Sequence, residues 1–119
     1  MDNTVPSSPV TRTDYRYFAY GLCSSGFICY GKGAMDNYDI DFWRIESCGC
    51  KTKRGAENKI SWLTSQNSIL HYREIGIFKF VLDYTVNECG IERPLRYKAV
   101  KLSQTKFPLP YSPSVPNVL

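Results

Sequence analysis

The stretch Tyr17-Phe18-Ala19-Tyr20-Gly21-Leu22-Cys23 runs an apolar strand into a glycine and then toward Ser24 and Ser25. Gly21 can take a positive φ or let another group approach the main chain closely, and successive amides after it would form a nest for an anion. An ordinary strand-ending turn is the alternative, since glycine commonly punctuates strands. Cys23 places a thiol beside that glycine, but a nucleophilic thiol needs a partner base, and the sequence identifies none. His71 is the single histidine and could act as a general acid; a lone histidine beside a strand is more often structural or exposed. Cys48-Gly49-Cys50 could offer two ligands to zinc, with only His71 and Cys89 to complete the set. Structural zinc sites use a wider spacing and a matching second pair, so no metal is expected.

Several elements must position these groups. Residues 1–14, rich in Ser, Thr and Asp with Pro6 and Pro9, read as a flexible lead-in. Tyr15 to Tyr20 has the aromatic density of a buried strand. Gly26, Gly31 and Gly33 make Leu22 to Gly33 a loop with one apolar turn, Phe27-Ile28-Cys29-Tyr30. Tyr38, Ile40 and Phe42 alternate with Asp39 and Asp41 as in a half-buried strand, and Trp43 and Ile45 shift the apolar set to the other parity, which suggests a bulge. Ser47 to Asn58 reads as a polar connection, Lys59 to Leu63 as a short strand, and Thr64 to Ser68 as a turn. Ile75 to Leu82 is the clearest strand, nearly continuous in apolar residues and therefore buried on both faces.

Asp83 then caps a short helix that Gly90 stops, and Pro94 limits the start of the next element. Leu95 to Leu102 alternates as a strand with one solvated face. Pro108, Pro110, Pro113 and Pro116 favour an extended tail that cannot pair inside a sheet. The expected architecture is α+β, mainly β: a small mixed barrel or curled sheet with one or two short helices. Its domain would run over residues 15–103, followed by the proline-rich tail at 104–119.

Composition narrows the classes. A chain of 119 residues with 43% hydrophobic residues, including nine Tyr, six Phe and two Trp, has room for one domain with one core. The net charge of +4 is spread out, with Lys51, Lys53 and Arg54 as the one tight cluster, and no nucleic-acid partner is expected. No apolar run is long enough to span a bilayer, and the polar N-terminus lacks a secretory pattern, so a cytoplasmic location without membrane attachment is expected. Five cysteines, an odd number, make reduced thiols the default.

Four features in order resemble the γ-glutamylcyclotransferase-like family. Tyr17-Phe18-Ala19-Tyr20-Gly21 is similar to its opening strand and substrate loop, and the stretch beginning Ala34-Met35-Asp36 and running through Phe42 is similar to its next strand. Asn58 to Trp62 followed by Ile75-Gly76-Ile77-Phe78-Lys79-Phe80 resembles its central pair. The run from Val86 through Glu92 to Tyr97 resembles a short helix end and the tyrosine-led strand beyond it. The likeness covers residues 15–102; Leu22 and Cys23 stand where the family has a Ser-Asn or Thr-Leu pair, and Arg93 where it has glycine.

The resemblance implies a transferase or lyase that cyclises a small γ-glutamyl substrate to 5-oxoproline and releases its amine, with no cofactor. By position Glu92 would be the general base, with Glu88 in reserve. The substrate's own α-amine would attack its γ-carbonyl. Holding the two together could supply an effective concentration of ~10⁵–10⁸ M, and a positioned base ~10²–10⁴-fold more. Tyr20, Gly21, Leu22, Cys23 and Tyr97 would bind the substrate, the backbone amides after Gly21 holding its carboxylate or an oxyanion. Those amides would face Glu92 across one pocket, where burial would raise the base's pKa. Otherwise Glu92 is a turn carboxylate paired with Arg93 or Arg96. The competing reading is a non-catalytic interaction domain that engages a protein partner through aromatic surface or the tail, where Pro110-Tyr111-Ser112-Pro113 has P-x-x-P spacing.

Overall fold

A computed structural model of the chain describes residues 10–36, 40–65 and 72–106. In chain order the elements are β1 (Val10–Cys23), β2 (Gly26–Tyr30), β3 (Ala34–Asp36), α1 (Phe42–Cys48), α2 (Lys53–Thr64), β4 (Glu74–Val86) and β5 (Glu92–Lys106). The strands form one sheet in the order β3-β2-β1-β4-β5. The mainly β architecture with two short helices agrees with the sequence reading. Every pairing among the described strands is antiparallel and the sheet stays open, so of the mixed barrel or curled sheet expected the barrel is the part corrected.

Strand alternation sorts the core onto two faces. Phe18, Tyr20, Phe80, Leu82 and Tyr84 point to one side, where they pack with Cys29, Met35 and Ile45 of α1. Ala19 and Ile75 point to the other, against Leu63 of α2 and Tyr72. Each of these large side chains, once buried, contributes roughly 1.5–3 kcal/mol. Phe18 and Phe80 meet edge to face at 5.3 Å.

Both helices replace expected strands, and for the same reason: a helical period stands where a period of two is expected. Asp41 accepts a hydrogen bond from the Arg44 amide at 2.7 Å and so caps α1. The shift of apolar parity from Phe42 to Ile45 is a step of three along a helix, not a bulge in a strand; Tyr38 and Asp39 lie outside the described residues. The run expected as a connection and a short strand is α2. Thr52 caps it, accepting from the Gly55 amide at 3.2 Å. Ala56, Ile60 and Leu63 recur at i, i+4 and i+7, and that period puts Ala56 and Leu63 in the core.

The helices reach opposite faces because the chain passes the free side of β1 beyond the end of β2. Tyr17 and Cys50 exchange backbone hydrogen bonds there, at 2.8 and 2.9 Å. A Cβ on Gly49 would stand 2.5 Å from the Arg16 Cβ, so only glycine fits at the crossing. Cys48-Gly49-Cys50 thus has a structural reason for its sequence.

Three further expectations change. Leu22 to Gly33 is not a loop: Cys23 pairs with Gly26 across a Ser24-Ser25 turn, and β2 and β3 follow. β1 begins at Val10, within the expected lead-in. Asp83 does not cap a helix; it lies in β4, accepting from Thr13 at 2.8 Å and Arg96 at 3.1 Å. The β4–β5 turn is built by Asn87, whose Oδ1 accepts from the Cys89 and Ile91 amides, with Gly90 at φ +82°. The amphipathic strand expected from Leu95 is β5, starting at Glu92 and carrying Pro94 on the edge, where a missing donor is tolerated.

Candidate functional site

The geometry expected at Gly21 is not assembled. Gly21 pairs with Ile28 on one side and Ile75 on the other, so its backbone belongs to the sheet and not to an open nest. A Cβ there would lie 2.7 Å from the Tyr72 ring, which covers the position. Leu22 pairs with Phe27 and Glu74, and its carbonyl accepts from the Arg73 amide at 2.8 Å. Cys23 Sγ lies 3.2 Å from both the Ser25 hydroxyl and the Gly26 carbonyl, and the Ser25 contact holds the thiol below its usual pKa.

Glu92 is at the other end. It pairs with Val86, whereas Gly21 pairs with Ile75, eleven residues earlier on β4. At the usual strand rise that separates them by about 36 Å. Glu92 is exposed, and both of its oxygens accept from Arg12, at 2.7 and 2.9 Å. The sequence reading allowed a pair with Arg93 or Arg96; the partner is Arg12, eighty residues away and brought in by β1. That guanidinium also lies 4.2 Å from the Tyr84 ring centroid. Glu88 is exposed in the same β4–β5 turn. Tyr97 lies mid-strand opposite Leu82, its hydroxyl donating to the Ile40 carbonyl at 3.2 Å. Tyr20, Gly21, Leu22 and Cys23 are therefore together, with Tyr97 and Glu92 progressively farther along the sheet. His71 lies outside the described residues; of the tail expected at 104–119, residues 104–106 belong to β5 and the rest lies outside the described residues.

The carboxylate that the fold does place near Gly21 is Glu74, which the sequence reading did not single out. It is 4% exposed, accepts a hydrogen bond from the Tyr20 hydroxyl, and lies 2.9 Å from Lys101 Nζ. Tyr20 stacks on Phe78 at 4.3 Å, and burial, reinforced by Glu74, pushes its phenol pKa well up. The one signal for this cluster was an acid opening the most apolar strand, with lysines on the next strand. Register, not local sequence, brings Lys101 to it.

On the opposite face, a groove of about 240 Å³ lies between α2 and the β4–β5 pair, bordered by Glu57, Ile60, Ile75, Ile77, Ser103 and Thr105. Burial pushes the Cys29 thiol up to about 12. Among the described residues no group of three or more His, Cys, Asp or Glu could hold a metal ion, and no helix is long and apolar enough to cross a membrane.

β5 is the most open part of the described chain. It lies at the end of the strand order, and residues 92–105 are all exposed. Nine large apolar side chains are exposed among the described residues, and Ile91, Leu95, Tyr97, Val100 and Leu102 are five of them, which concentrates apolar surface on this edge. Trp43 on α1 and Trp62 on α2 add two exposed aromatics. Comparison with protein-family models, with curated proteins and with solved structures finds no match to this chain.

Proposed function

We propose that this chain is a binding domain that takes up an extended segment of a partner protein along the β5 edge. The observation that carries this reading is the concentration of exposed apolar side chains on a 15-residue edge strand. Strand addition uses main-chain hydrogen bonds for affinity and alternate side chains for specificity, and a long edge with apolar groups on both faces provides for both. Amide hydrogen exchange across residues 92–106 tests it, measured with and without excess of a neutral strand peptide of alternating Thr and Val. Slower exchange in β5 is expected on addition of the peptide; unchanged exchange at saturating concentrations rejects the reading.

A γ-glutamylcyclotransferase-like reaction is the second reading. It is favoured by Glu74, a buried carboxylate one register position from Gly21 and in contact with Tyr20. Glu74, not Glu92, would then be the base. Against it, Tyr20 and Lys101 already occupy that carboxylate, and the amides of Gly21 are in the sheet. The test is 5-oxoproline release from a panel of γ-glutamyl amines and amino acids. This second reading requires product that is lost in Glu74→Gln and kept in Glu92→Gln.

A further inference from the structure

The charges on β5 have almost one sign: Arg93, Arg96, Lys98, Lys101 and Lys106 against Glu92 alone. Register aligns three of them. Arg93, Arg96 and Lys98 lie opposite Thr85, Asp83 and Val81, which share one face of β4, and Val100 opposite Lys79 continues the row. The irregularity between Asp83 and Tyr84 takes up Leu95 and keeps the row in phase. Arg96 is held by Asp83 at 3.1 Å, while Arg93 and Lys98 are exposed and make no ion pair among the described residues.

We infer that the segment taken up by β5 is acidic, an extended peptide with Glu or Asp at alternate positions facing Arg93, Arg96 and Lys98. This rests on the strand-addition reading above and adds the chemistry of the partner. Opposite charges directly across an antiparallel pair stabilise it, and like charges oppose it. A second copy of β5 would bring basic residues against basic residues, so the row disfavours self-pairing while it attracts an acidic strand. A nucleic acid is also acidic, but single strands bind on aromatic platforms beside the positive charges. Beside the row the exposed aromatic is Tyr15, and Lys79 Nζ already lies 4.3 Å from its ring centroid; Trp62 of α2, exposed on the same side of the sheet, stands over the Ile75 end, away from Arg93 and Arg96. An edge with no partner strand among the described residues, alternation and charge together favour a peptide.

The test uses the full chain and labelled peptides of about nine residues, followed by fluorescence anisotropy. The sequences alternate Glu/Val, Thr/Val or Lys/Val, and a fourth is Glu/Val with a central proline. At low salt the Glu/Val peptide should bind at least ~10-fold more tightly than Thr/Val, and added salt should shrink the difference. The proline should abolish binding, since it removes a backbone donor from the new ladder. Lys98→Glu and Arg93→Glu should each weaken the Glu/Val peptide several-fold and leave Thr/Val unchanged, with circular dichroism confirming that each variant is folded.

Equal affinity for Glu/Val and Thr/Val overturns the acidic partner but leaves strand addition standing. Binding by none of the strands, or equal binding of the proline-interrupted peptide, overturns strand addition itself. Tighter binding of a single-stranded oligothymidylate than of Glu/Val assigns the basic row to nucleic acid and also overturns the inference.

Discussion

Glu74 and Glu92 are two carboxylates, each held by a cation from another strand, at opposite ends of the same sheet. Glu74 is buried against Tyr20, with Lys101 at 2.9 Å; Glu92 is exposed, with Arg12 at 2.7 Å. The distances are nearly equal, so distance does not distinguish them. Burial does. Once one partner of a buried pair is removed, the other is left without compensation, whereas water replaces either partner of an exposed pair. At the Glu74 end β1 and β4 carry buried residues on both faces, and at the Glu92 end one face of the same two strands is exposed or half-buried. A charge pair is thus a structural element at one end and a surface feature at the other.

The largest expected effect breaks the buried pair. Lys101→Met leaves Glu74 with less support in an apolar site and should cost about 3 kcal/mol in urea unfolding. That is below the upper end for such changes because the lysine side chain is 40% exposed. Adding Glu74→Gln to Lys101→Met should recover part of the loss. Equal losses from Lys101→Met and Arg12→Met would break the contrast between the two ends.

Next comes the crossing that sends the helices to separate faces. Gly49→Ala puts a Cβ 2.5 Å from the Arg16 Cβ and 2.9 Å from the Ile45 carbonyl. Overpacking of this kind should cost about 2 kcal/mol by the same measurement. Gly33→Ala, where nothing lies within 4 Å, is the control and should stay within about 1 kcal/mol.

Tyr84 is the buried group at the Glu92 end: it packs in the core, donates to Glu46 and lies under the Arg12 guanidinium. Burial, with the Glu46 hydrogen bond, pushes its phenol up to about 12. A raised folded-state pKa means that the neutral form is stabilised by folding. The contribution is therefore complete below the unfolded value of about 10 and is lost as pH rises through about 12. Tyr84→Phe should cost about 1–2 kcal/mol at neutral pH. Its urea midpoint should also fall less steeply than that of the unmodified chain above about pH 10. An unchanged alkaline slope would remove Tyr84 from the account.

Much of the sheet was legible because its strands have local signatures. The apolar run from Ile75 and the alternation from Leu95 both lie within real strands, since period and β-branched content act over a few residues. The helices were not, because α1 has seven residues and its single helical step from Phe42 to Ile45 imitates a strand irregularity. In α2, Gly55 and the charged residues obscured the recurrence Ala56, Ile60, Leu63. The site depended on register. Nothing near Gly21 in sequence announces that Glu74 will meet Tyr20, or that Glu92 will be drawn to Arg12. Those pairings are set by strands of 13 to 15 residues whose alignment is a property of the whole sheet.

The smallest expected effect sharpens the comparison most. Arg12→Met removes both hydrogen bonds to Glu92 and the cation over Tyr84, yet should change stability by no more than about 1 kcal/mol. Glu92 would be solvated at once, and the methionine would keep apolar contact with the ring. Salt gives a second discriminator. Screening weakens exposed pairs, so the difference between Arg12→Met and the unmodified chain should shrink toward zero in about 1 M sodium chloride, where the Debye length is about 3 Å. The loss from Lys101→Met should persist, because Glu74 is shielded from the counter-ions that would replace its partner. If the Lys101→Met loss also vanished in salt, Glu74 would be as open as Glu92, and the cyclotransferase reading would gain an accessible base.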